Sequence, residues 1–162
     1  MLPRLDDALL DSCRCDVAAP LAGDPARDFG LDPDDCQQRF EVLKRYLDEQ
    51  QQLLWASRRQ ALLLWLQGPD CSGKDGAIRH LFRGLNPQGV DVSNFQLPSA
   101  AERQEHFLAR YQRRLPPLGS IGIFNRSPYE GVVGDRHDGF IGAEQVSPRL
   151  QQIAAFEDQL QG

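Results

Sequence analysis

The sequence has 162 residues and a mass of 18.2 kDa, which suits one domain with an arm, and its 41% apolar and 25% charged residues are ordinary for a globular chain. A net charge of −5 argues against duplex nucleic acid as a partner. No apolar run reaches the ~18 residues of a membrane span, and the N-terminal residues do not resemble a secretory signal, so we expect a cytoplasmic protein without a membrane partner.

Residues 1–32 are rich in Asp, Pro, Ala and Gly, and they predict an N-terminal arm that packs loosely on a domain over residues 33–162. The four cysteines of the chain show no paired metal-ligand spacing, so reduced thiols are expected. These cysteines are Cys13, Cys15, Cys36 and Cys71.

A first helix is predicted over residues 33–57. Asp32 can cap it, Pro33 suits its first position, and the two aspartates that follow lie where the helix dipole favours negative charge. Apolar residues then recur at near-helical spacing, at Phe40, Leu43, Leu47 and Leu54.

The core is predicted over residues 60–130, where strands alternate with helices. Residues 61–67 form a continuous apolar run, which is typical of a strand buried on both faces of a parallel sheet. A glycine-rich turn and a helix to about Leu85 follow it, and residues 90–95 are a second candidate strand.

The capping box from Ser99 to Glu102 predicts a third helix that continues to Leu115 and stops at the prolines after it. Residues 120–124 are a third candidate strand, and Ser147–Pro148 predicts the start of a last helix over residues 148–161. This order of elements predicts an α/β fold with a parallel sheet and right-handed helical crossovers.

The chemistry is predicted in a glycine-rich loop between the first strand and the next helix, over residues 68–76. Gly68, Gly73 and Lys74 satisfy G-x-x-x-x-G-K, in which glycines let backbone N–H groups surround phosphate oxygens at a helix N-terminus, and the lysine adds a positive charge. The predicted phosphate-binding residues are Gly68, Ser72, Gly73, Lys74, Asp75 and Gly76.

A magnesium site is predicted at the same loop. Asp75 stands where the general motif has a Ser or Thr hydroxyl for Mg²⁺, and Asp70 adds a second carboxylate. Two carboxylates beside a phosphate repel it unless a cation lies between them, so Asp70 and Asp75 are candidate Mg²⁺ ligands. The alternative for Asp75 is stabilisation of the helix dipole.

The middle of the chain is basic although the whole is acidic. Residues 74–126 hold eight Lys or Arg against four Asp or Glu, which suits a confined anionic ligand. The alternative is a set of solvated helix faces.

Four segments in order resemble the polyphosphate kinase type 2 family. The loop and its strand, Leu64 to Gly76, resemble the Walker A segment L-Q-G-x-D-x-x-G-K-D-G. Asn86–Gly89 matches an N-P-Q-G turn, residues 95–111 resemble the next strand and helix, and Gly119–Glu130 is similar to the Walker B region. The resemblance covers residues 33–130 well and the last helix weakly.

The resemblance implies Mg²⁺-dependent transfer of a phosphoryl group from inorganic polyphosphate to a nucleoside mono- or diphosphate, on a P-loop kinase-like fold. It implies that Asp70 and Lys74 are the catalytic pair of the loop, and that Asn125 and Arg126 are the Walker B pair. Arg126 can bind phosphate bidentately and offset the charge of the transferred group, or it can order its loop through an ion pair. Asp70 can orient the acceptor phosphate or a metal-bound water.

The sequence departs from the family after Glu130, where a stretch rich in glycine and charge replaces an apolar run. The family continues into a lid and last strands that these residues lack. We therefore expect weak or absent activity unless a second chain supplies that half, and an apolar edge at the first strand that favours a homo-oligomer. The alternatives are a non-catalytic polyphosphate- or nucleotide-binding fragment, and a P-loop kinase that uses a nucleotide donor.

Overall fold

A computed structural model describes Asp11 and residues 29–161. The predicted arm over residues 1–32 lies outside the described residues except at Asp11 and residues 29–32, and Cys13 and Cys15 lie outside them too. The chain divides into two compact units, Met1–Gln50 and Gln51–Gly162, and the second unit contains every element that positions the candidate site.

The first helix, α1, spans Pro33–Ser57, as predicted. The side chain of Asp32 accepts a hydrogen bond from the N–H of Asp35 at 2.9 Å, which is the expected cap. Within the second unit, the buried side chain of Gln51 donates to the carbonyl of Asn86 at 2.7 Å and accepts from its N–H at 3.0 Å. This pair of bonds fixes the end of α1 against the turn before the second strand.

Three parallel strands form the sheet: β1 (Leu62–Leu66), β2 (Val90–Asn94) and β3 (Ile121–Asn125). Their order is β1-β3-β2, so β3 is central and β1 and β2 lie at the edges of the described sheet. The register pairs the last residues of all three strands, Leu66, Asn94 and Asn125. The carboxyl ends of the strands therefore meet at one edge, as a parallel α/β sheet requires for a ligand site.

The core packs around β3 and is mainly aromatic. Phe124 is fully buried, and its ring stacks against Trp65 at 6.4 Å and meets Phe95 edge-on at 4.9 Å. Ile153 and Phe156 of the last helix close the other side. Complete burial of such a side chain contributes about 2 kcal/mol, so this cluster holds the last helix to the sheet.

Four further helices flank the sheet: α2 (Lys74–Phe82), α3 (Ala109–Gln112), α4 (Glu130–His137) and α5 (Ala143–Gln161). Short 3₁₀ turns occur at Pro87–Gly89 and Glu102–Gln104. None of the helices in the described part of the chain is long and apolar enough to span a membrane.

The third predicted helix is broken into two pieces. Its capping box forms, since Ser99 N–H donates to the Glu102 carboxylate at 2.8 Å and Glu102 N–H donates to Ser99 Oγ at 3.3 Å. The turn that it caps is only three residues long, and Glu105 is extended. The N–H of Leu108 bonds to His106 Nδ1 at 3.3 Å instead of continuing a helix, so α3 is a single turn.

The last helix begins earlier than predicted. It starts at Ala143 rather than at Pro148, because Gly142 N–H donates to the side chain of Gln145 at 3.1 Å and caps it there. Pro148 lies inside the helix, where it removes one backbone donor. The helix α4 was not predicted. Its Gly131 lies so close to Phe107 that a Cβ would approach the ring to 2.7 Å, so the packing of α4 against Phe107 requires a glycine at this position.

Candidate functional site

An open cavity of about 980 Å³ lies at the carboxyl ends of the strands. It is lined by the glycine-rich loop, by the segment after β2 and by the end of β3. All the predicted site residues except Gly68 border this cavity: Asp70, Ser72, Gly73, Lys74, Asp75, Gly76, Asn125 and Arg126. The fold thus brings two distant sequence segments to one place.

The backbone of the loop explains two of its glycines. Gly73 has a φ of 87°, in the left-handed region that side chains rarely adopt. Gly68 faces Ser72, and a Cβ on Gly68 would lie 2.8 Å from the Ser72 hydroxyl. Gly76 has open space around it, so no steric reason for a glycine is visible there. Helix α2 begins directly after the turn, which directs its N-terminal N–H groups toward the cavity.

The ammonium group of Lys74 is folded back over the loop. It donates to the carbonyls of Gly68 at 2.8 Å and Pro69 at 2.7 Å, and to the hydroxyl of Ser72 at 3.3 Å. Lysine has three donors, so these contacts use all of them. They hold the positive charge inside the ring of loop atoms, where phosphate oxygens can replace them as acceptors.

Asp75 forms a polar cluster with the ends of β2 and β3. The side-chain amide of Asn125 donates to Asp75 at 2.6 Å and to Asn94 at 3.0 Å. The Oδ1 atom of Asn125 is buried without a hydrogen-bond partner among the described residues. Within residues 29–161 no group of three or more His, Cys, Asp or Glu residues could hold a metal ion. The single carboxylate of Asp75 still fits Mg²⁺, because this ion takes few protein ligands and completes its shell with phosphates and water.

Asp70 has a different partner from Asp75. Its carboxylate pairs with the Arg126 guanidinium at 2.8 Å, and 83% of the Asp70 side chain is exposed. Arg126 has a left-handed φ of 72°, and its N–H donates to the carbonyl of Leu66 at 3.0 Å. The two predicted metal ligands therefore have different partners in this structure. Asp70 pairs with the Arg126 guanidinium, and Asp75 accepts a hydrogen bond from the Asn125 amide.

Sequence reasoning missed a network that joins the two halves of the site. The side chain of Gln67 accepts from the N–H and the hydroxyl of Ser127 at 3.1 and 2.8 Å, and donates to Glu130 at 2.8 Å. The hydroxyl of Tyr111 donates to the Ser127 carbonyl at 3.0 Å, and burial raises the pKa of Tyr111 to about 12. The available signal was a polar residue placed between an apolar strand and a glycine.

A smaller pocket of about 230 Å³ adjoins the cavity and shares Arg126 and residues 95–97 with it. Phe107 and Phe140 line this pocket, and the guanidinium of Arg103 lies 3.6 Å from the centre of the Phe140 ring. Arg149 pairs with Asp135 at 2.6 Å, and both residues also line the pocket. The pocket therefore offers aromatic surface beside a fixed charge network.

Residues 30–162 match the family described as Polyphosphate kinase 2 (PPK2). The chain is 55% identical over 87 residues to an ADP-polyphosphate phosphotransferase of Rhodopseudomonas palustris, an alignment that covers 54% of this chain and 30% of the relative. It is 36% identical over 140 residues to an AMP/ADP-polyphosphate phosphotransferase of Meiothermus ruber, with 80% and 52% covered.

The fold is also that of a solved structure, a Polyphosphate Kinase 2 from Arthrobacter aurescens TC1. The TM-score is 0.85 at 31% identity, and the match covers 94% of this chain and 56% of that one. This likeness confirms the predicted P-loop kinase-like α/β core. The chain spans about half, or less, of the length of the relatives that it matches.

Proposed function

The chain belongs to the polyphosphate kinase 2 family, and from this premise we propose that it transfers a phosphoryl group from inorganic polyphosphate to a nucleoside mono- or diphosphate of the AMP or ADP type. The observation that carries the proposal is the convergence of Lys74, Asp75, Asn125 and Arg126 on one cavity at the ends of the strands. Such a site supplies charge and orientation, which account for most of the catalysis of phosphoryl transfer.

In the proposed site the loop residues bind the phosphates that react. The N–H groups at the start of α2 and the ammonium of Lys74 surround phosphate oxygens, as the exchangeable contacts of Lys74 with Gly68 and Pro69 allow. Arg126 neutralises the charge that spreads over the transferred group. Asp70 keeps the guanidinium of Arg126 oriented until the acceptor phosphate arrives.

Asp75 is the residue that would hold Mg²⁺. Its carboxylate is a hard oxygen donor that borders the cavity, and the side-chain amide of Asn125 holds it in place. A bound ion would neutralise charge on phosphate oxygens. Asp70, which the sequence also predicts as a ligand, is paired with Arg126 and is the weaker candidate.

The acceptor nucleoside suits the smaller pocket behind Arg126. Its aromatic walls, Phe107 and Phe140, match a planar base, and Arg126 borders both this pocket and the larger cavity. The acceptor phosphate would therefore lie beside the guanidinium, facing the loop. The names of the relatives, which include ADP- and AMP/ADP-polyphosphate phosphotransferases, support this class of acceptor. A cytoplasmic location and a homo-oligomeric state remain predictions.

The test is to incubate the purified chain with polyphosphate, Mg²⁺ and either AMP or ADP, and to measure nucleotide products by chromatography. The Lys74→Met variant is the matched control. We expect slow formation of product by the natural chain, in line with the weak activity predicted from its sequence, and none by the variant. Polyphosphate binding without product would favour the binding-fragment alternative, and product from ATP without polyphosphate would favour a nucleotide-donor kinase. Absence of both binding and transfer would contradict the proposal.

A further inference from the structure

Arg149 of the last helix, α5, lines the smaller pocket with a side chain that is only 21% exposed. A charge that is largely buried must be paired and hydrogen-bonded, so its partners indicate what it holds in place. We propose that Arg149 is a positioning residue for the acceptor, which keeps both aromatic walls of the pocket, Phe107 and Phe140, in the arrangement that receives the nucleobase. This inference rests on the proposed function, which places the base in this pocket.

The partners of Arg149 on helix α4 are Gly131 and Asp135. The Nη1 atom of Arg149 donates to the Asp135 carboxylate at 2.6 Å and to the carbonyl of Gly131, which lies about one turn earlier in the helix. Only 15% of the Asp135 side chain is exposed, so water and salt weaken this ion pair less than a surface pair. The guanidinium therefore fixes α5 to α4 at two points.

Phe107 is held by direct contact with Arg149. The guanidinium carbon lies 4.7 Å from the centre of the Phe107 ring, which is within the range of a cation–π interaction. Gly131 packs against the same ring, as its missing Cβ shows. Phe107 itself lies in the turn between Glu102–Gln104 and α3, outside any helix or strand. The position of its ring therefore depends on these side-chain contacts.

Phe140 is held indirectly, through Asp135. The backbone carbonyl of Asp135 accepts from the N–H of Phe140 at 2.8 Å and from the N–H of Ile141 at 3.3 Å. These bonds fold the segment after α4 back onto the helix. The Phe140 side chain is 52% exposed, so packing alone does not fix it. Because the Asp135 carboxylate is bound to Arg149, the guanidinium also determines where the Phe140 backbone lies.

One guanidinium thus connects both aromatic walls, and its effect is expected on the base alone. Aromatic surface stabilises a planar base only when the rings lie at a suitable distance and angle. Arg149 does not line the larger cavity, where Lys74 and Arg126 face the phosphates. Loss of Arg149 should therefore weaken binding of the nucleobase and leave binding of the phosphate unchanged.

The test compares AMP with ribose 5-phosphate, which has the same sugar and phosphate but no base. We would measure both affinities by calorimetry for the natural chain and for Arg149→Gln. The variant should bind AMP about tenfold more weakly and ribose 5-phosphate with nearly unchanged affinity. Arg136→Gln is the matched control, because it removes the same charge from an exposed residue of α4 that lines neither the pocket nor the cavity.

A second variant, Arg149→Lys, keeps the test valid if Arg149→Gln does not fold. Lysine retains the charge beside Asp135 but lacks the planar guanidinium, so AMP affinity should fall between those of the natural chain and Arg149→Gln. A double-mutant cycle with Phe140→Leu then separates positioning from general loosening. If Arg149 acts through the aromatic walls, the combined variant loses less AMP affinity than the product of the two single losses.

Each outcome decides the inference. It would be overturned by unchanged AMP affinity in the folded Arg149 variants, by an equal loss for ribose 5-phosphate, or by an equal loss in Arg136→Gln. Single losses that multiply in the cycle would overturn it as well. AMP that does not bind the natural chain would reject the proposed acceptor site together with the inference, whereas AMP binding that does not depend on Arg149 would reject the inference alone.

Discussion

Gln67 and Ser127 are joined by two hydrogen bonds, in which the Gln67 side-chain oxygen accepts from the Ser127 N–H at 3.1 Å and from its hydroxyl at 2.8 Å. Gln67 immediately precedes the glycine-rich loop, and Ser127 immediately follows Arg126. The Gln67 side chain therefore helps to fix the glycine-rich loop relative to Arg126, together with the Asp70–Arg126 ion pair and the bond from the Arg126 N–H to the Leu66 carbonyl.

This relationship predicts the effect of Gln67→Glu. The new carboxylate cannot donate to Glu130, which accepts from Gln67 at 2.8 Å, and instead repels it. We expect a loss of about 1 kcal/mol in the free energy of unfolding and a fall in kcat, measured by chemical denaturation and by transfer assays. Gln151→Glu on the exposed face of α5 is the control. Equal effects of the two substitutions would contradict the role of Gln67.

Replacing Lys74 tests the loop itself. In Lys74→Met the ammonium that contacts Gly68, Pro69 and Ser72 is lost, and we expect kcat to fall about 10²-fold or more while the fold is retained. Lys74→Arg keeps the charge and should retain more phosphate affinity than Lys74→Met. Circular dichroism checks the fold, and a Lys74→Met chain that transfers phosphate normally would refute the assignment.

The two loop carboxylates are expected to differ in their metal dependence. Asp75→Asn keeps an oxygen for Asn125 but removes a negative charge, so the Mg²⁺ concentration needed for half-maximal thermal stabilisation in the presence of tripolyphosphate should rise about tenfold. Asp70→Asn weakens the pair with Arg126 and should leave this Mg²⁺ requirement nearly unchanged. The reverse result would assign the ion to Asp70.

The raised pKa of Tyr111 predicts that the protein loses stability at high pH. Its folded-state pKa is raised from 10.0 to about 12 by burial. Between these values the unfolded chain ionises while the folded chain stays neutral, so the stability present below pH 10 is lost as the pH rises toward about 12. Tyr111→Phe should cost about 1 kcal/mol at neutral pH, because the Ser127 carbonyl loses its donor, and should reduce the alkaline loss. Unfolding measured from pH 8 to 12 checks this; an unchanged alkaline slope in the variant would contradict it.

Much of the fold was predictable because local signals agreed with tertiary packing. Asp32 caps α1, and the apolar run of β1 pairs in parallel with the central strand. The prediction that this strand is buried on both faces was wrong, since Leu62 is 44% exposed and the other four residues are half-buried at the edge of the described sheet. The prediction failed where side chains compete with the backbone. His106 interrupts the third helix by accepting from Leu108, and the Gly142–Gln145 contact starts α5 before Pro148. Such contacts depend on geometry that spacing alone does not encode.

The candidate site was predictable where the motif constrains the backbone, as at Gly73. It was also predictable where the family resemblance singled out a residue far away in sequence, as at Arg126, which contacts Asp70 of the loop. The site was not predictable where a residue only supports other site residues through its hydrogen bonds. Gln67 is the Q of the L-Q-G-x-D-x-x-G-K-D-G segment, but it carries no charge and the motif assigns it no chemical role, and its function as a bridge depends on the parallel pairing of β1 with β3. The different partners of Asp70 and Asp75 likewise follow from strand order rather than from sequence.

The central claim is that the loop around Ser72, with Lys74, binds a chain of phosphates. The most direct measurement is a titration of isotopically labelled protein with tripolyphosphate and Mg²⁺, followed through the backbone amide resonances of residues 72–76. We predict saturable shifts of these resonances in the natural chain and their loss in Lys74→Met. Resonances that do not move at any concentration, while the protein remains folded, would contradict the claim.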